Sequence, residues 1–189
     1  MRPAVFLDRD GTMIEKDGYL DRLHLLRPFP WTPDAIRLLN RAGFATVVIT
    51  NQSAIGRGII DEPFLLELHN ALDARLALGH ARIDAYYFCP HHPDANIERY
   101  RQTCRCRKPG PGMIEQACRD MDLDPRRSVM VGDRWLDVAA GQAAGTRTVL
   151  VRTGDGVHEA DAPPAGAHAD AILNNLMEAV GWILRTCSR

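Results

Sequence analysis

Val5-Phe6-Leu7-Asp8-Arg9-Asp10-Gly11-Thr12, close to the start of the chain, joins a short apolar run to two aspartates, a glycine and a threonine. The pattern predicts a buried strand over residues 4–8 that presents carboxylates at its carboxyl end. In an open parallel sheet, ligands bind beyond that end of the strands. Two carboxylates this close repel each other unless a cation or a shared proton relieves them, and Mg²⁺ prefers oxygen ligands. The alternative is an ordinary strand followed by an Asp/Gly turn.

Three later segments carry related patterns. Residues 46–53 are an apolar run that ends in Thr50-Asn51-Gln52-Ser53, and residues 107–112 place the basic pair Arg107-Lys108 before a Pro/Gly turn. Residues 129–137 are a third apolar run, and this one ends in Gly132-Asp133. With these four segments in this order, the chain resembles the haloacid dehalogenase (HAD) superfamily of phosphotransferases.

The order of elements predicts an α/β fold. We expect strands at residues 4–8, 45–50, 83–89, 128–131 and 147–151, each a short apolar run typical of a parallel sheet covered on both faces. We expect helices from Thr32 to Gly43, with Thr32 as N-cap, and over residues 62–78, 112–121, 135–145 and 172–184. Residues 13–32, 55–58 and 154–170 are predicted loops, the last of them mobile.

Alternating strands and helices predict a parallel sheet with helices on both faces. The resemblance implies a HAD-like Rossmannoid three-layer sandwich, and the sequence contains no long insertion that would form a separate cap domain. We therefore expect one domain over residues 1–189, in which residues 13–32 and a metal loop at about 89–107 cover the site.

Bulk composition limits the possible partners. The chain has 189 residues and a formal net charge of −1, so it is large enough for a sizeable core and has no basic field for nucleic acid. No apolar run is long enough for a transmembrane helix, so we expect no membrane partner. The N-terminus enters a predicted strand directly, which predicts a cytoplasmic protein without a secretion signal. The charge and the lack of obvious exposed apolar stripes favour a monomer, and the resemblance implies a small phosphorylated sugar as its substrate.

The resemblance implies a phosphomonoester hydrolase that works through an aspartyl-phosphate. Asp8 would be the nucleophile, and Asp10 would protonate the leaving alcohol and then deprotonate the attacking water. Thr50 and Lys108 would contact the phosphoryl oxygens, although singly they also suit a strand-end threonine and a surface lysine. A catalytic Mg²⁺ would be held by Asp8, the backbone carbonyl of Asp10 and Asp133. Asp137 is either a supporting acid or a first-turn helix acid that favours the helix dipole.

A second metal centre is predicted from the cysteines. Three of the five lie close together in Cys89-Pro90-His91-His92-Pro93 and Cys104-Arg105-Cys106. The pairs C-x-H and C-x-C supply four ligands for a structural Zn²⁺, which leaves no position for water. We take the ligands to be Cys89, His91, Cys104 and Cys106, with His92 as a neighbour. Such clustering is typical of metal binding in a reducing compartment and not of a disulfide scaffold. The alternative is a set of buried cysteines beside surface histidines.

The metal loop narrows the resemblance to one group of HAD phosphatases. A capless core with C-P-H-H-P and C-x-C-R-K-P is similar to the phosphatases that remove the C7 phosphate of D-glycero-D-manno-heptose 1,7-bisphosphate for lipopolysaccharide or surface glycans. Substrate contacts are then expected from two short segments and three arginines, namely Lys16, Asp17, Gly18, Tyr19, Asn51, Gln52, Ser53, Arg57, Arg107 and Arg134. The arginines are candidates for the second phosphate.

Two other functions stay open at this stage. The histidinol-phosphate phosphatases of histidine biosynthesis share the core and zinc pattern, and they often carry arginine where this chain has Arg134. Their metal loop is generally shorter than the one here, and a strongly basic pocket suits cationic histidinol less well. A non-catalytic phosphate-binding module is the remoter alternative, and the intact set of aspartates, threonine and lysine argues against it.

Overall fold

The fold is one parallel sheet, and the first strand of the chain lies at its centre. The computed structural model describes residues 1–187, and its strands are β1 (Ala4–Leu7), β2 (Ala45–Asn51), β3 (Ala85–Cys89), β4 (Val129–Gly132), β5 (Arg147–Val151) and β6 (Ala171–Leu173). Their spatial order is β3-β2-β1-β4-β5-β6, and all neighbours are parallel. The order changes direction at β1, so the carboxyl ends of β1, β2 and β4 surround the crevice where ligands bind in such sheets.

Helices cover the sheet on both sides. They are α1 (Thr32–Arg41), α2 (Ser53–Gly56), α3 (Glu62–Leu78), α4 (Gly112–Met121), α5 (Trp135–Ala143), α6 (Gly156–Glu159) and α7 (Leu176–Thr186). The side chains of β1 alternate between the two layers. Val5 and Leu7 join one buried cluster with α1, α3 and α7, whereas Ala4 and Phe6 join a second with α4. Burial on both faces explains the uninterrupted apolar runs, and the predicted three-layer α/β fold is confirmed.

The carboxyl-terminal segment differs from the prediction. The predicted helix over 172–184 is wrong at its start, because Ala171–Leu173 adds a sixth strand beside β5 and the helix begins only at Leu176. Asn175 marks that start, since its side chain accepts a hydrogen bond from the backbone N–H of Glu178 at 3.0 Å. An Asn followed three residues later by Glu is a helix-start signal that the apolar periodicity conceals.

Three smaller expectations also need correction. Thr32 does not cap its helix, because its buried hydroxyl donates to the Met13 carbonyl at 2.7 Å and Trp31 occupies the N-cap. The predicted loop over 55–58 begins inside a short helix, Ser53–Gly56. The predicted mobile loop over 154–170 contains the helix Gly156–Glu159. The prediction of a single domain over 1–189 stays a prediction, and its last two residues lie outside the described part of the chain.

Candidate active site

Four sequence segments meet at the carboxyl edge of the sheet. Asp8 follows β1 and Asp133 follows β4, while Thr50 lies near the end of β2. The Asp8 backbone N–H donates to the Val131 carbonyl at 2.9 Å, so the strand pairing continues as far as the candidate nucleophile. Lys108 reaches the same point from the loop before α4. The candidate catalytic residues are thus fixed by neighbouring strands and by one long connection.

Lys108 is the cation at the centre of the site. Its buried ammonium lies 2.7 Å from an oxygen of Asp8 and 2.6 Å from an oxygen of Asp137, and it donates to the Ile49 carbonyl at 2.8 Å. Three acceptors match the three hydrogens of the ammonium group. Asp137 also accepts a hydrogen bond from the Arg134 backbone N–H at 3.0 Å. It is therefore both a first-turn helix acid and a direct partner of Lys108.

Burial sets the charge state of the site. Removal from water raises the pKa of Asp8 to about 6, with Asp137 and Asp10 adding to the rise and Lys108 opposing it. Burial also raises the pKa of Asp133 to about 8, and the nearby carboxylates of Asp8 and Asp137 reinforce that effect. For Lys108 burial disfavours the charged form, but Asp137 and Asp8 outweigh it and raise the pKa of the amine. Three acidic groups thus face a single lysine, and ionisation of all three requires a further positive charge.

The carboxylates form a group that fits a hard divalent cation. Oxygens of Asp8, Asp133 and Asp137 all lie within 4.8 Å of one another. One oxygen of Asp133 accepts from the Asp155 backbone N–H at 2.8 Å, whereas the other is buried without a hydrogen-bond partner in the described residues. An unpartnered buried carboxylate oxygen in an oxygen-only ligand set is the environment that Mg²⁺ prefers.

Two glycines make room for Asp133. Gly11 has a φ of +87° and Gly154 a φ of +55°, both in the region that favours glycine. A Cβ atom on Gly11 would lie 2.1 Å from an Asp133 oxygen, and one on Gly154 would lie 2.2 Å from the same oxygen. Gly11 belongs to the motif that sequence analysis identified. Gly154 was not predicted as a site residue, and its signal is only a Thr-Gly pair after β5.

Asp10 stands apart from the buried cluster and faces the cavity. Its side chain is 25% exposed, and its two oxygens accept hydrogen bonds from the guanidinium of Arg9 at 3.0 and 3.2 Å. Gln52 donates to Asp10 at 2.9 Å and to the Thr50 hydroxyl oxygen at 2.8 Å. Sequence analysis did not assign a role to Arg9, because an arginine between two aspartates gives no sign of which groups it contacts.

A cavity of about 370 Å³ opens over these groups. Eight of the ten predicted substrate contacts line it: Lys16, Gly18, Tyr19, Asn51, Gln52, Ser53, Arg107 and Arg134. Arg57 does not line it, and Asp17 lines a smaller neighbouring cavity of about 150 Å³. Lys16 and residues 18–20 form part of the wall, as expected for a loop that covers the carboxylates.

The basic side chains around the cavity differ in how far nearby carboxylates balance their charge. Arg134 is paired with Glu159 at 2.9 Å and with Asp155 at 3.4 Å, and Lys16 also contacts Asp155. Arg107 instead donates to the neutral carbonyl of His91 at 3.1 Å. Among the predicted basic contacts that line the cavity, Arg107 therefore keeps the most unbalanced positive charge.

The predicted metal loop brings four ligand atoms together. The sulfur atoms of Cys89, Cys104 and Cys106 lie 3.1–3.5 Å apart, and the Nδ1 atom of His91 lies 3.4 Å from Cys106 and 3.7 Å from Cys89. These distances are too long for disulfides, which require about 2.05 Å, and the cysteines are free. The geometry is compatible with a tetrahedral ion bound by three sulfurs and one nitrogen.

His92 does not join this cluster, since its Nδ1 accepts from the Asp94 backbone N–H at 3.0 Å.

The metal loop also connects to the active site through hydrogen bonds. Asn51 donates to the Lys108 carbonyl at 3.1 Å and accepts from the Lys108 N–H at 3.0 Å. The Cys/His cluster, Arg107 and Lys108 therefore belong to one connected segment.

Comparison with known proteins identifies the family of this chain. A HAD-hydrolase-like family model matches residues 105–179. D-glycero-β-D-manno-heptose-1,7-bisphosphate 7-phosphatase from Yersinia pestis is 43% identical over 93% of this chain and 92% of its own length. The enzyme of the same name from Escherichia coli K12 is 42% identical over 93% and 91%.

Solved structures give the same result. The D,D-heptose 1,7-bisphosphate phosphatase from B. bronchiseptica, complexed with magnesium and phosphate, superposes with a TM-score of 0.87 and 30% identity over 98% of this chain and 99% of that one. The corresponding structure from Burkholderia thailandensis has a TM-score of 0.71 and 28% identity over 97% and 99%. The chain belongs to the HAD phosphatases, in the group of the heptose-bisphosphate phosphatases. Among the described residues, none of the helices has the length and apolar character needed to cross a bilayer.

Replacement of Lys108 by methionine should destabilise the fold. The change leaves Asp8 and Asp137 buried without their cation, and breaking a buried pair in this way costs about 3–5 kcal/mol. Urea denaturation of both proteins without added metal measures the difference in unfolding free energy. The matched control is Arg105→Met, which breaks the exposed Arg105–Glu115 pair and should cost less than about 1 kcal/mol. Equal losses in the two variants would contradict the central role of Lys108.

Proposed function

We propose that this chain removes the C7 phosphate of D-glycero-D-manno-heptose 1,7-bisphosphate. The observation that carries the proposal is the buried Lys108–Asp8 pair beneath a cavity lined by Arg107, in a chain 43% identical to a heptose-bisphosphate phosphatase. The cavity offers one place for a reacting phosphate, beside Asp8, and a separate positive charge for a second phosphate. A bisphosphate needs both.

Asp8 is the nucleophile in this proposal. Its carboxylate is held by Lys108, and a pKa of about 6 leaves it mostly ionised at neutral pH. An Asp8 oxygen forms a bond to phosphorus while the bond between phosphorus and the C7 oxygen breaks, which yields an aspartyl-phosphate. Water then attacks the phosphorus, inorganic phosphate leaves, and the Asp8 carboxylate is restored.

Asp10 moves the protons for both steps. Its partly exposed carboxyl group lies at the cavity, where it can protonate the departing C7 oxygen and later take a proton from the attacking water. Thr50 helps to hold the phosphoryl group. Its hydroxyl oxygen already accepts a hydrogen bond from Gln52, which leaves its own hydrogen to donate to a phosphoryl oxygen. Lys108 adds a fixed positive charge beside the same group.

A Mg²⁺ ion fits the carboxylate group described above. Asp8, Asp133 and the backbone carbonyl of Asp10 would hold it, with Asp137 close by. When bound, the ion neutralises phosphoryl charge and balances the excess of carboxylates. The metal-bound B. bronchiseptica structure and the unpartnered Asp133 oxygen support this proposal.

Arg107 is the leading candidate for binding the second phosphate. It lines the cavity and its side chain is paired only with a carbonyl among the described residues. Arg134 also lines the cavity, but Glu159 and Asp155 balance part of its charge. Those two acids favour an alternative, histidinol phosphate, whose cationic group would suit carboxylates near the rim. Arg57 is the weakest candidate because it does not line the cavity.

The proposed activity is tested by kcat/KM on heptose 1,7-bisphosphate and on histidinol phosphate, side by side. We expect a preference for the bisphosphate of about a hundredfold, roughly 2.7 kcal/mol in transition-state binding. Asp8→Asn should abolish turnover of both esters, because the amide is not a nucleophile. A preference for histidinol phosphate would replace the heptose assignment with the alternative, and full activity of Asp8→Asn would overturn the mechanism.

The proposed Mg²⁺ site should couple metal binding to pH. The pKa values of Asp8 and Asp133 rise to about 6 and about 8 in the metal-free fold. The folded state therefore favours their protonated forms, and its stability falls as pH rises through these values. Mg²⁺ requires the ionised forms. Thermal melting should show that Mg²⁺ raises Tm at pH 8 by about 2 °C or more beyond its effect at pH 5, and a gain independent of pH would contradict the site.

We propose a structural Zn²⁺ at Cys89, His91, Cys104 and Cys106. The converging ligand atoms support it, and four protein ligands leave no open position for catalysis. Free thiols in such a site suit a reducing compartment, so we propose a cytoplasmic enzyme. We also propose that it acts as a monomer on its small phosphorylated sugar.

Loss of one zinc ligand should affect activity through the loop. Cys104→Ala leaves the catalytic aspartates in place but releases the segment that carries Arg107 and Lys108. We expect stoichiometric zinc in the parent protein, less zinc in the variant, and a drop in kcat/KM of about tenfold or more, by analogy with ligand-support mutations. Cys118→Ala, at a free cysteine outside the cluster, is the control. A Cys104→Ala protein with full activity would contradict the proposed role.

A further inference from the structure

A buried arginine lies between the two catalytic aspartates, and the mechanism above gives it no role. The Arg9 side chain is only 2% exposed. Its Nε and Nη2 groups donate to the two oxygens of Asp10 at 3.2 and 3.0 Å. Its remaining amine, Nη1, lies 3.3 Å from Nε2 of His69, a buried histidine of α3. The guanidinium is thus held on one side by Asp10 and on the other by His69.

The contact with Arg9 fixes the chemical form of His69. A guanidinium has only donors, so the histidine Nε2 must accept and the ring must be neutral, with its proton on Nδ1. Burial and the charge of Arg9 lower the pKa of His69 to about 3. The ring is therefore neutral and stays an acceptor at neutral pH.

The His69 ring is itself held from two elements. It stacks on Tyr86 of β3, with ring centroids 4.2 Å apart and an interplanar angle of 15°. The Tyr86 hydroxyl donates to Asp73 at 2.6 Å, and Asp73 lies one turn after His69 on α3. A strand and a helix therefore fix the plane of the acceptor that holds Arg9.

We propose that Arg9 and His69 are a positioning pair that orients the Asp10 carboxylate toward the leaving oxygen. The inference rests on the role of Asp10 in the proposed function. Asp10 is partly exposed, and a free aspartate would rotate about its side-chain bonds. A bidentate guanidinium fixes the plane of the carboxylate, but only if the guanidinium cannot turn. His69 removes that freedom by holding the third nitrogen, and a proton donor must be placed within hydrogen-bond reach to act.

Leaving-group dependence separates this role from a structural one. An alkoxide such as the C7 oxygen of a sugar needs a proton as it leaves, whereas 4-nitrophenolate is a weak base and leaves without one. Because kcat/KM reports the steps up to the first irreversible one, it follows expulsion of the leaving group. Poor placement of Asp10 should therefore slow the sugar phosphate more than 4-nitrophenyl phosphate. Simple loss of folded structure would slow both by the same factor.

The experiment compares three variants in the metal-loaded enzyme. His69→Phe keeps a ring to stack on Tyr86 but cannot accept from Arg9, whereas His69→Gln places an acceptor near the position of Nε2. Tyr86→Phe keeps the stacked ring and removes only the bond to Asp73. For His69→Phe we expect the ratio of kcat/KM for heptose 1,7-bisphosphate to that for 4-nitrophenyl phosphate to fall about tenfold or more. His69→Gln and Tyr86→Phe should keep the ratio within about threefold of the parent.

Equal losses on both esters, or the same ratio in His69→Gln and His69→Phe, would overturn the inference. Thermal melting shows whether each variant is folded. If His69→Phe does not fold, Arg9→Lys provides the test, because a lysine cannot make the bidentate contact and should give the same selective loss. Failure of the proposed function would give a different result from failure of this inference. In that case the parent enzyme does not hydrolyse the bisphosphate, or Asp8→Asn keeps its activity, whatever the result at His69.

Discussion

The ammonium group of Lys108 is the constraint on which the site depends. It lies in the interior between Asp8 and Asp137, and its charge compensates the burial of both acids. The sheet brings Asp8 and Asp137 together through β1 and β4, and nothing in the sheet itself supplies the lysine. The protein therefore has to hold an irregular segment in a fixed position. Asn51 supports it through two hydrogen bonds to the Lys108 backbone, and the proposed zinc at the Cys/His cluster would add to that support.

The site separates two kinds of carboxylate. Asp8, Asp133 and Asp137 form a buried group that shares the single cation of Lys108, whereas Asp10 is at the cavity and is paired with Arg9. This division suits chemistry in which one acid stays attached to the phosphoryl group while another exchanges protons with substrate and water. It also explains why two aspartates only one residue apart can have different roles. The regular strand ends at Leu7, and the irregular backbone that follows places the Asp8 side chain against Lys108 and the Asp10 side chain against Arg9 at the cavity.

The sequence predicted the sheet and the convergence of its motifs well, since apolar runs ending in polar residues carry both kinds of information. It did less well where local signals competed. The apolar residues of 172–184 suit a helix. Ala171–Leu173 instead forms a strand because it pairs with β5, and this pairing cannot be inferred from local sequence. Contacts such as Arg9 with His69 could not be predicted either, because 60 residues separate the partners and neither residue type identifies the other. The same holds for Gly154, whose need for a small residue arises from Asp133 in another loop.

The bond between Lys108 and Asp8 joins residues that are 100 positions apart in the chain. Such a contact closes a large loop, and it forms only after β1, β2 and the segment that follows β3 have assembled. The active site is therefore complete only when residues from distant parts of the chain are in place. A chain in which this loop is open lacks the cation beside Asp8, so the geometry of the nucleophile depends on closure of the whole loop.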